Sequence, residues 1–483
     1  MMKTKKLFLK IASSFLVLFA INANANNVQI TGTSVSGSNV TFTISWDNSW
    51  NANIAPANWD AVWVFIKYQD CNTRLWAHAG LSTLSADHTA GSPLQADPVT
   101  DGKGVFLRRS ALGGGNIANV SVTLKMTIPA GTYNYKVFGI EMVNVPQGAY
   151  DLGDGTSVST FNSIAINATS QTSGLSSATL GGGAAAVPAA FPMGYNSFYT
   201  MKYEISQLQY VEFLNALTYD QQKAHTYNDP IGAAGTYAMF PAYQYRNGIR
   251  VSVPGNNAAI PAVFVCDATA GVEDNNDDGQ AVACSGLSWG DVTAYLDWAA
   301  LRPMTELEFE KICRGTMPRV AGEYPWGSTA ISPFYSTTVL NPLKPNEVGN
   351  AVVNGACAHA LGSGSPVYGP LKVGVFATGS SGRASSGASY YGAMEMGGNL
   401  WERVVSAVNT SGTAFTGTLG DGTLTAQGDA NQATWPSSTT AAGSGFRGGD
   451  YVNVAGYVRT SDRASIAVVD ATRIYNSGGR GVR

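Results

Sequence analysis

Charged residues are scarce in this sequence. Asp, Glu, Lys and Arg make up 13% of its 483 residues, whereas a typical soluble domain carries about 25%. The net charge is −3, and no basic run follows the first few positions. Because nucleic-acid binding requires a concentrated basic face, we expect no nucleic-acid partner. The 55 glycines and the 45% hydrophobic content indicate a loop-rich or β-rich chain with a neutral polar surface.

Histidine is also scarce, and common catalytic motifs are missing. The four histidines are scattered, without the H-x-x-x-H spacing of an ordinary zinc or iron site. Neither a G-x-S-x-G nucleophile motif nor a Walker phosphate-binding loop occurs. Cys357 and His359 form one pair of soft ligands, which we interpret as a local coincidence. The sequence therefore predicts no catalytic residue.

Long apolar runs are limited to the start of the chain. Lysines precede an apolar stretch at residues 7–21, which ends in Ala23-Asn24-Ala25. A basic start, a short apolar region and an A-x-A site predict a signal peptide over residues 1–25. No second stretch approaches the ~20 apolar residues that cross a bilayer, so we expect no membrane-spanning segment. The predicted location is secreted: periplasm, cell surface or medium.

The chain has five cysteines, an odd number. Export makes disulfides possible, and at least one thiol would be free or would pair between chains. Cys266 and Cys284 flank one polar loop and are the predicted disulfide.

Residues 26–140 have the pattern of strands. Val40, Phe42, Ile44 and Trp46 alternate with polar residues, which predicts a half-buried strand. Residues 62–66 form a continuous apolar run, typical of a strand buried on both faces. We therefore predict an immunoglobulin-like β-sandwich, with a structural or spacing role as its simplest function.

Residues 141–483 are predicted to form an irregular second domain with few short helices, which makes the fold class α+β. Glycine- and serine-rich segments dominate, and three capping boxes mark the expected helices. The pairs are Ser206 with Gln209, Ser288 with Asp291, and Thr305 with Glu308. So few helices in so much irregular chain suggest that metal ions or disulfides fix the loops.

Two acidic stretches are candidates for calcium. Asp274, Asn276 and Asp278 with Gly279 match the first half of a calcium loop, D-x-N-x-D-G. The position expected for the later glutamate is Ser285, and a solvated acidic loop is the alternative. In the second stretch, Met-Glu-Met-Gly-Gly-Asn-Leu-Trp-Glu-Arg-Val at 394–404, two carboxylates flank glycines that free backbone carbonyls to point inward.

Several motifs occur in order along the chain: Glu141–Gly148, Lys202-Tyr203-Glu204, Ser288-Trp289, Arg302–Glu310, Cys313-Arg314-Gly315, Tyr324-Pro325-Trp326-Gly327, Met396–Glu402, Phe446–Tyr451 and Gly479–Arg483. Taken together, they resemble the sulfatase-modifying-factor family, which includes formylglycine-generating enzymes. They extend over residues 141–483. The resemblance implies an irregular fold related to C-type lectins, with bound calcium.

The same resemblance implies that this chain has the family's calcium-binding loop but lacks its copper-binding cysteines. The calcium ligands carried over are Glu395, the carbonyls of Gly398 and Leu400, and Glu402. The two copper-binding cysteines of formylglycine-generating members would fall at Asn453 and near Tyr457 or Val458. No cysteine follows Cys357. The histidine cluster of iron-dependent relatives is also missing, so copper and iron are not supported.

These features predict a secreted, calcium-stabilised binding protein with an unknown protein or glycan ligand. Its recognition surface would come from residues 450–476, although the arginines there could instead pair with acidic neighbours inside the fold. One alternative is an exported oxidoreductase or protein-maturation factor of the family with an altered active site. Another is a surface structural protein. The predicted ligand-binding residues are Tyr451, Asn453, Tyr457, Arg459, Asp462 and Arg463.

Overall fold

The computed structural model describes residues 27–256, 260–269, 271–333, 339–349, 353–365 and 367–483. The predicted signal peptide lies outside these residues. The strands are β1 Gln29–Ser36, β2 Asn39–Asn51, β3 Asp60–Asp70, β4 Trp76–His78, β5 Gly80–Leu81, β6 Thr89–Ala90, β7 Leu94–Pro98, β8 Val105–Arg109, β9 Gly113–Thr127, β10 Tyr133–Val145, β11 Tyr150–Leu152, β12 Ile164–Ile166, β13 Phe198–Met201, β14 Ile249–Val253, β15 Val263–Cys266, β16 Arg302–Pro303, β17 Ser332–Pro333, β18 Val339–Leu340, β19 Val348–Gly349, β20 Ala356–Cys357, β21 Trp401–Val405, β22 Ser444–Arg447, β23 Ser477–Gly478 and β24 Gly481–Val482.

The helices are short, in agreement with the α+β class. No helix in the described ranges has the length and apolar character needed to cross a membrane. The helices are α1 Ala168–Ser173, α2 Ser177–Leu180, α3 Gln207–Leu214, α4 Tyr219–Ala224, α5 Trp289–Trp298, α6 Glu306–Arg314, α7 Arg383–Ser386 and α8 Thr410–Thr413.

The N-terminal strands form a five-stranded sheet in the order β1-β2-β9-β5, with β6 paired to β9. The predicted alternation in β2 is confirmed: Val40, Phe42, Ile44 and Trp46 are buried, and the residues between them are half-buried. This follows from the two-residue period of a strand, which directs successive side chains to opposite faces.

An eight-stranded sheet joins the N-terminal part of the chain to the rest. Its order is β16-β24-β13-β10-β3-β8-β7, with β4 paired to β3. Strand β10 continues across the predicted boundary at residue 140, pairing with β3 on one side and with β13 on the other. The two parts are therefore linked through backbone hydrogen bonds within one sheet.

Strand β3 separates two hydrophobic cores. Val62, Val64 and Ile66 pack into a core shared with the five-stranded sheet. Trp63 and Phe65 point to the opposite face and join the core of the C-terminal part. This arrangement explains why the run at 62–66 is apolar at every position and confirms that this strand is buried on both faces.

The three predicted capping boxes are confirmed. In α3, α5 and α6 the hydroxyl of the capping residue accepts a hydrogen bond from the N–H of the third helical residue. The side chain of that third residue accepts in turn from the backbone N–H of the capping residue. Helix α6 is buried along its whole length although it carries five charged residues. Its glutamates are all paired with arginines, some from nearby, as Arg302 with Glu308, and some from distant segments, as Arg447 and Arg463 with Glu306.

Candidate functional site

The loop at 394–402 follows a sharply bent backbone path. Glu395, Gly398 and Asn399 all have positive φ, at 51°, 78° and 64°. At Gly398 an added Cβ would lie 2.5 Å from both the Ala358 carbonyl oxygen and the Cys357 sulfur. A larger residue is therefore excluded there by the left-handed backbone and by this close approach.

Glu204 holds this loop in place through hydrogen bonds. Its carboxylate accepts hydrogen bonds from the Asn399 side chain and from the Leu400 N–H, the latter at 3.0 Å. The Gly398 N–H donates to the Gly448 carbonyl at 2.8 Å. Glu204 belongs to the Lys-Tyr-Glu motif at 202–204, but sequence reasoning did not assign it a role at the site.

The two predicted carboxylate ligands, Glu395 and Glu402, are both buried, and each has one oxygen occupied. Glu395 Oε1 accepts from the Gly374 N–H at 2.8 Å, and Glu402 Oε1 accepts from Arg480 Nε at 2.6 Å. Neither Oε2 atom has a hydrogen-bond partner among the described residues. Buried oxygens without partners are costly unless a proton or a cation satisfies them.

The backbone of this loop offers further oxygens. None of the hydrogen bonds found in the described part of the chain ends on the carbonyl of Gly398 or Leu400. Carboxylate and carbonyl oxygens are the ligands of Ca²⁺. The donor set predicted for calcium therefore fits a hard cation at these four residues. Nowhere in the described ranges, this loop included, do three or more His, Cys, Asp or Glu side chains lie close enough together to form a metal-binding group.

Burial at the loop disfavours the negative charge of its carboxylates. Burial raises the pKa of Glu395 to about 7, and the Gly374 N–H and Arg480 only partly oppose this effect. Burial also raises the pKa of Glu402 despite its ion pair with Arg480. Arg480 is fully buried and also donates to the carbonyls of Met201, Lys202 and Met394. Sequence reasoning missed this arginine because only its place in the closing motif was noted.

In the second acidic loop, at 274–279, the carboxylates accept hydrogen bonds from neighbouring backbone and side-chain groups. Asp278 is buried, and its carboxylate accepts from the Thr269 N–H and hydroxyl and from the Asn275 N–H. Asp274 accepts from the Cys266 N–H, and Asn276 is exposed. The Asp278 carboxylate is therefore occupied by hydrogen bonds on both oxygens, whereas Glu395 and Glu402 each keep one oxygen without a partner among the described residues.

The predicted recognition residues lie at different depths. Asn453, Tyr457 and Arg459 are half-buried, whereas Tyr451, Asp462 and Arg463 are buried. Arg463 forms an ion pair with Glu306 and donates to two backbone carbonyls. The Arg463 guanidinium is therefore used inside the fold, which agrees with the alternative interpretation that the arginines pair with acidic neighbours.

Four tyrosines from distant segments form a closed cluster, which we call the tyrosine cluster: Tyr245, Tyr368, Tyr451 and Tyr475. Tyr245 stacks on Tyr475 at 4.7 Å, and Tyr368 meets Tyr451 edge-on at 5.5 Å between ring centroids. Tyr245–Tyr368 and Tyr451–Tyr475 contacts close the ring at 6.1 and 6.4 Å. Tyr451 is fully buried, and its hydroxyl has no hydrogen-bond partner among the described residues; the other three are half-buried. No local sequence signal could have brought Tyr245 and Tyr368 to this place.

The predicted disulfide between Cys266 and Cys284 is wrong. Both are free thiols buried in the same hydrophobic core. Cys284 faces the Asn247 amide at 3.9 Å and the Ser285 carbonyl at 4.0 Å. Burial raises the pKa of both thiols, and they pack as small apolar groups. Sequence spacing around a loop gives no information about the separation of two side chains in space.

Cys357 and His359 lie close to the recognition segment. Cys357 packs in one cluster with Val458, and its thiol donates to the Gly397 carbonyl at 3.1 Å. Burial raises the pKa of Cys357, which keeps the sulfur as a thiol. Burial also lowers the pKa of His359, and the nearby Asn453 backbone only partly opposes this effect.

The fold and the loop define an α+β domain with short strands, irregular connections and a carboxylate-carbonyl site. Residues 136–483 match the family described as the sulfatase-modifying factor enzyme 1-like domain. Because this match covers well over half of the chain, the protein belongs to that family. A comparison with curated proteins found no match.

Proposed function

We propose that this chain is an exported, calcium-stabilised binding protein built on the sulfatase-modifying-factor scaffold. The observation that carries the proposal is the tyrosine cluster, which adjoins the C-terminal segment predicted for recognition. Tyrosines combine a broad apolar face with a polar tip and lose little conformational entropy on binding. Three half-buried rings supported by a buried fourth therefore offer a rigid surface for a glycan or a protein.

Calcium stabilisation is supported by the loop at 395–402. Within the described part of the chain, one oxygen each of Glu395 and Glu402 and the carbonyls of Gly398 and Leu400 accept no hydrogen bond, so they can supply hard oxygen ligands. When bound, the ion would neutralise two carboxylates that burial disfavours in their charged form. The protein would contribute the bent backbone at Gly398 and the support of Glu204.

The thiols argue against redox chemistry as the main activity. Cys313 and Cys357 are buried, and burial raises the pKa of each. A protonated, enclosed sulfur is a poor nucleophile and a poor ligand for a soft metal. The family oxidoreductase with an altered centre is the second candidate, because Cys357 contacts the cluster that contains Val458.

Elemental analysis of protein purified from the exported fraction without chelator tests the metal. We expect calcium bound in stoichiometric amount and no copper or iron. Stoichiometric copper or iron would contradict the proposal and favour the oxidoreductase. In that case loss of oxygen consumption in Cys357→Ala would identify the thiol responsible.

A glycan array probed with the calcium-loaded protein tests the recognition surface. We expect saturable binding that Tyr475→Ala abolishes. Tyr227→Ala is the matched control, because Tyr227 is 57% exposed and lies outside the cluster. Binding that survives both Tyr475→Ala and Tyr245→Ala would show that the ligand binds outside the tyrosine cluster. If no glycan binds, the same variants would be tested with protein ligands.

A further inference from the structure

A cavity of about 650 Å³ lies between the N-terminal strands and the family domain. One wall is formed by residues 48–58, and the other by residues 377–394 together with Lys202 and Tyr203. Small-molecule sites have volumes of roughly 300–1,000 Å³ and are favoured at junctions of this kind. The cavity shares no residue with the tyrosine cluster or with the predicted calcium ligands.

The cavity walls are aromatic and held in place. Trp50, Tyr203, Tyr390 and Tyr391 all contribute to the lining. Asn58 connects the two walls: it accepts from Trp50 Nε1 at 3.2 Å and donates to the Tyr391 carbonyl at 2.9 Å. A second donation from Asn58, to the Asn144 carbonyl at 3.0 Å, anchors it to β10. The aromatic surface is therefore formed before any ligand arrives, which reduces the entropy cost of binding.

The charge of the cavity is positive. None of the described lining residues is Asp or Glu, whereas Lys202 and Arg383 are both present. Lys202 is neutralised by Glu141, whose carboxylate lies 2.9 Å from Nζ. Arg383 donates only to the carbonyls of Cys313 and Pro325, and its buried Nε has no partner in the described part of the chain. Carbonyls satisfy N–H groups but carry no net charge, and the guanidinium otherwise lies over the Tyr390 ring at 5.4 Å. No carboxylate among the described residues forms an ion pair with Arg383, which leaves it able to bind an anion.

We propose that this cavity binds a small organic anion with an aromatic body. The aromatic body packs against Trp50 and Tyr390, and a carboxylate or sulfonate group accepts hydrogen bonds from Arg383. Bonds between a guanidinium and an anion are charge-assisted and stronger than neutral ones. Lining hydroxyls such as Ser389 and Thr378 supply further donors. The site is independent of the proposed recognition surface.

Two fluorescent probes test both parts of this proposal on the full chain. 1-Anilinonaphthalene-8-sulfonate has an aromatic body with an anionic group, and N-phenyl-1-naphthylamine has the same body without the charge. We expect saturable binding of the sulfonate to one site and affinity at least about tenfold lower for the neutral probe. Equal affinity for both probes, or no saturable binding of the sulfonate, would overturn the proposal.

Variants then locate the site. Arg383→Gln should weaken sulfonate binding at least about tenfold, because it removes a charge-assisted bond. Arg74→Gln is the matched control, since it removes an exposed positive charge away from the cavity. Its affinity should equal that of the wild type.

Ile54 provides a second test that does not depend on the folding of an Arg383 variant. This side chain lines the cavity and is 77% exposed, so substitution leaves the core intact. Ile54→Asp should weaken sulfonate binding more than Ile54→Asn does, and both should bind the neutral probe equally. Identical sulfonate affinity in the Ile54→Asp, Ile54→Asn and Arg383→Gln variants and in the wild type would show that the probe binds elsewhere.

Discussion

Arg480 is a fully buried cation in contact with one carboxylate and three backbone carbonyls. It faces Glu402, and Glu204 and Glu395 lie near enough to raise its pKa against the opposing effect of burial. A buried ion pair adds little over a well-packed apolar pair, but removing one partner leaves an uncompensated charge. The arrangement therefore makes the loop sensitive to single substitutions.

Arg480→Met should lower the free energy of unfolding by about 3–5 kcal/mol, because Glu402 would be left buried without a counterion. Urea unfolding in the presence of a chelator measures this effect. The double variant Arg480→Met with Glu402→Gln should recover a large part of the loss. If the double variant is as unstable as the single one, packing rather than charge explains the role of Arg480.

Glu395 should make the stability of the metal-free protein depend on pH. Its folded pKa is raised from 4.5 to about 7, so the folded state holds the proton more tightly than the unfolded state. This contribution is fully present below about pH 4.5 and is lost as pH rises to about 7. The free energy of unfolding should therefore fall by roughly 3 kcal/mol over that window. Glu395→Gln should remove the decline, as measured by urea unfolding at both ends of the window with chelator present.

Calcium should reverse this trend, because the ion binds the deprotonated carboxylate. The rise in melting temperature on adding calcium should be larger near neutral pH than at pH about 5, and Glu395→Gln should abolish it. Asp278→Asn serves as the comparison for the other acidic loop. A calcium effect lost in Asp278→Asn and kept in Glu395→Gln would assign the ion to residues 274–279.

At the scale of elements, the capping box of α6 is fully buried, with Thr305 and Glu308 at most 1% exposed. The Thr305 hydroxyl accepts from the Glu308 N–H at 3.1 Å and donates to the Pro192 carbonyl at 2.8 Å. Thr305→Ala should therefore cost about 2 kcal/mol of unfolding free energy, the upper end for an N-cap. Thr218→Ala, at the half-buried cap of α4, should cost about 1 kcal/mol. Chemical denaturation of both variants checks the order, and equal losses would show that burial does not strengthen the cap.

Local patterns explain which elements were predictable. The alternation in β2 and the three capping boxes depend on residues within a few positions, so the sequence predicts them correctly. The pair of Glu402 and Arg480 joins residues 78 apart, and the tyrosine cluster joins residues as far apart as Tyr245 and Tyr475. No local period encodes such contacts. The disulfide failed for the same reason, since spacing along the chain does not set the distance between two thiols.

At the scale of the whole molecule, the shared sheet should make unfolding cooperative. Besides the backbone pairing of β10, Trp63 Nε1 donates to the Ala299 carbonyl at 2.9 Å and Lys67 Nζ donates to the Gly422 carbonyl at 2.6 Å. Scanning calorimetry should show one transition, with coincident fluorescence and circular dichroism curves. Two separate transitions would indicate independent units.

A fragment that begins at residue 146 provides the complementary test. It lacks β10, so β13 would keep β24 but lose its other neighbour in the sheet and expose an edge. We expect this fragment to aggregate or to remain unfolded, whereas residues 27–483 should be soluble. A stable, monomeric fragment would contradict the role assigned to the shared sheet.

The free cysteines have a practical consequence. Four of the five thiols are buried, and Cys71, in the turn after β3, is half-buried. A maleimide dye should therefore label the native protein at one position without any engineered substitution. A fluorophore attached to Cys71 would report on the N-terminal strands. Mild oxidation would join two copies of the chain through a disulfide between their Cys71 sulfurs.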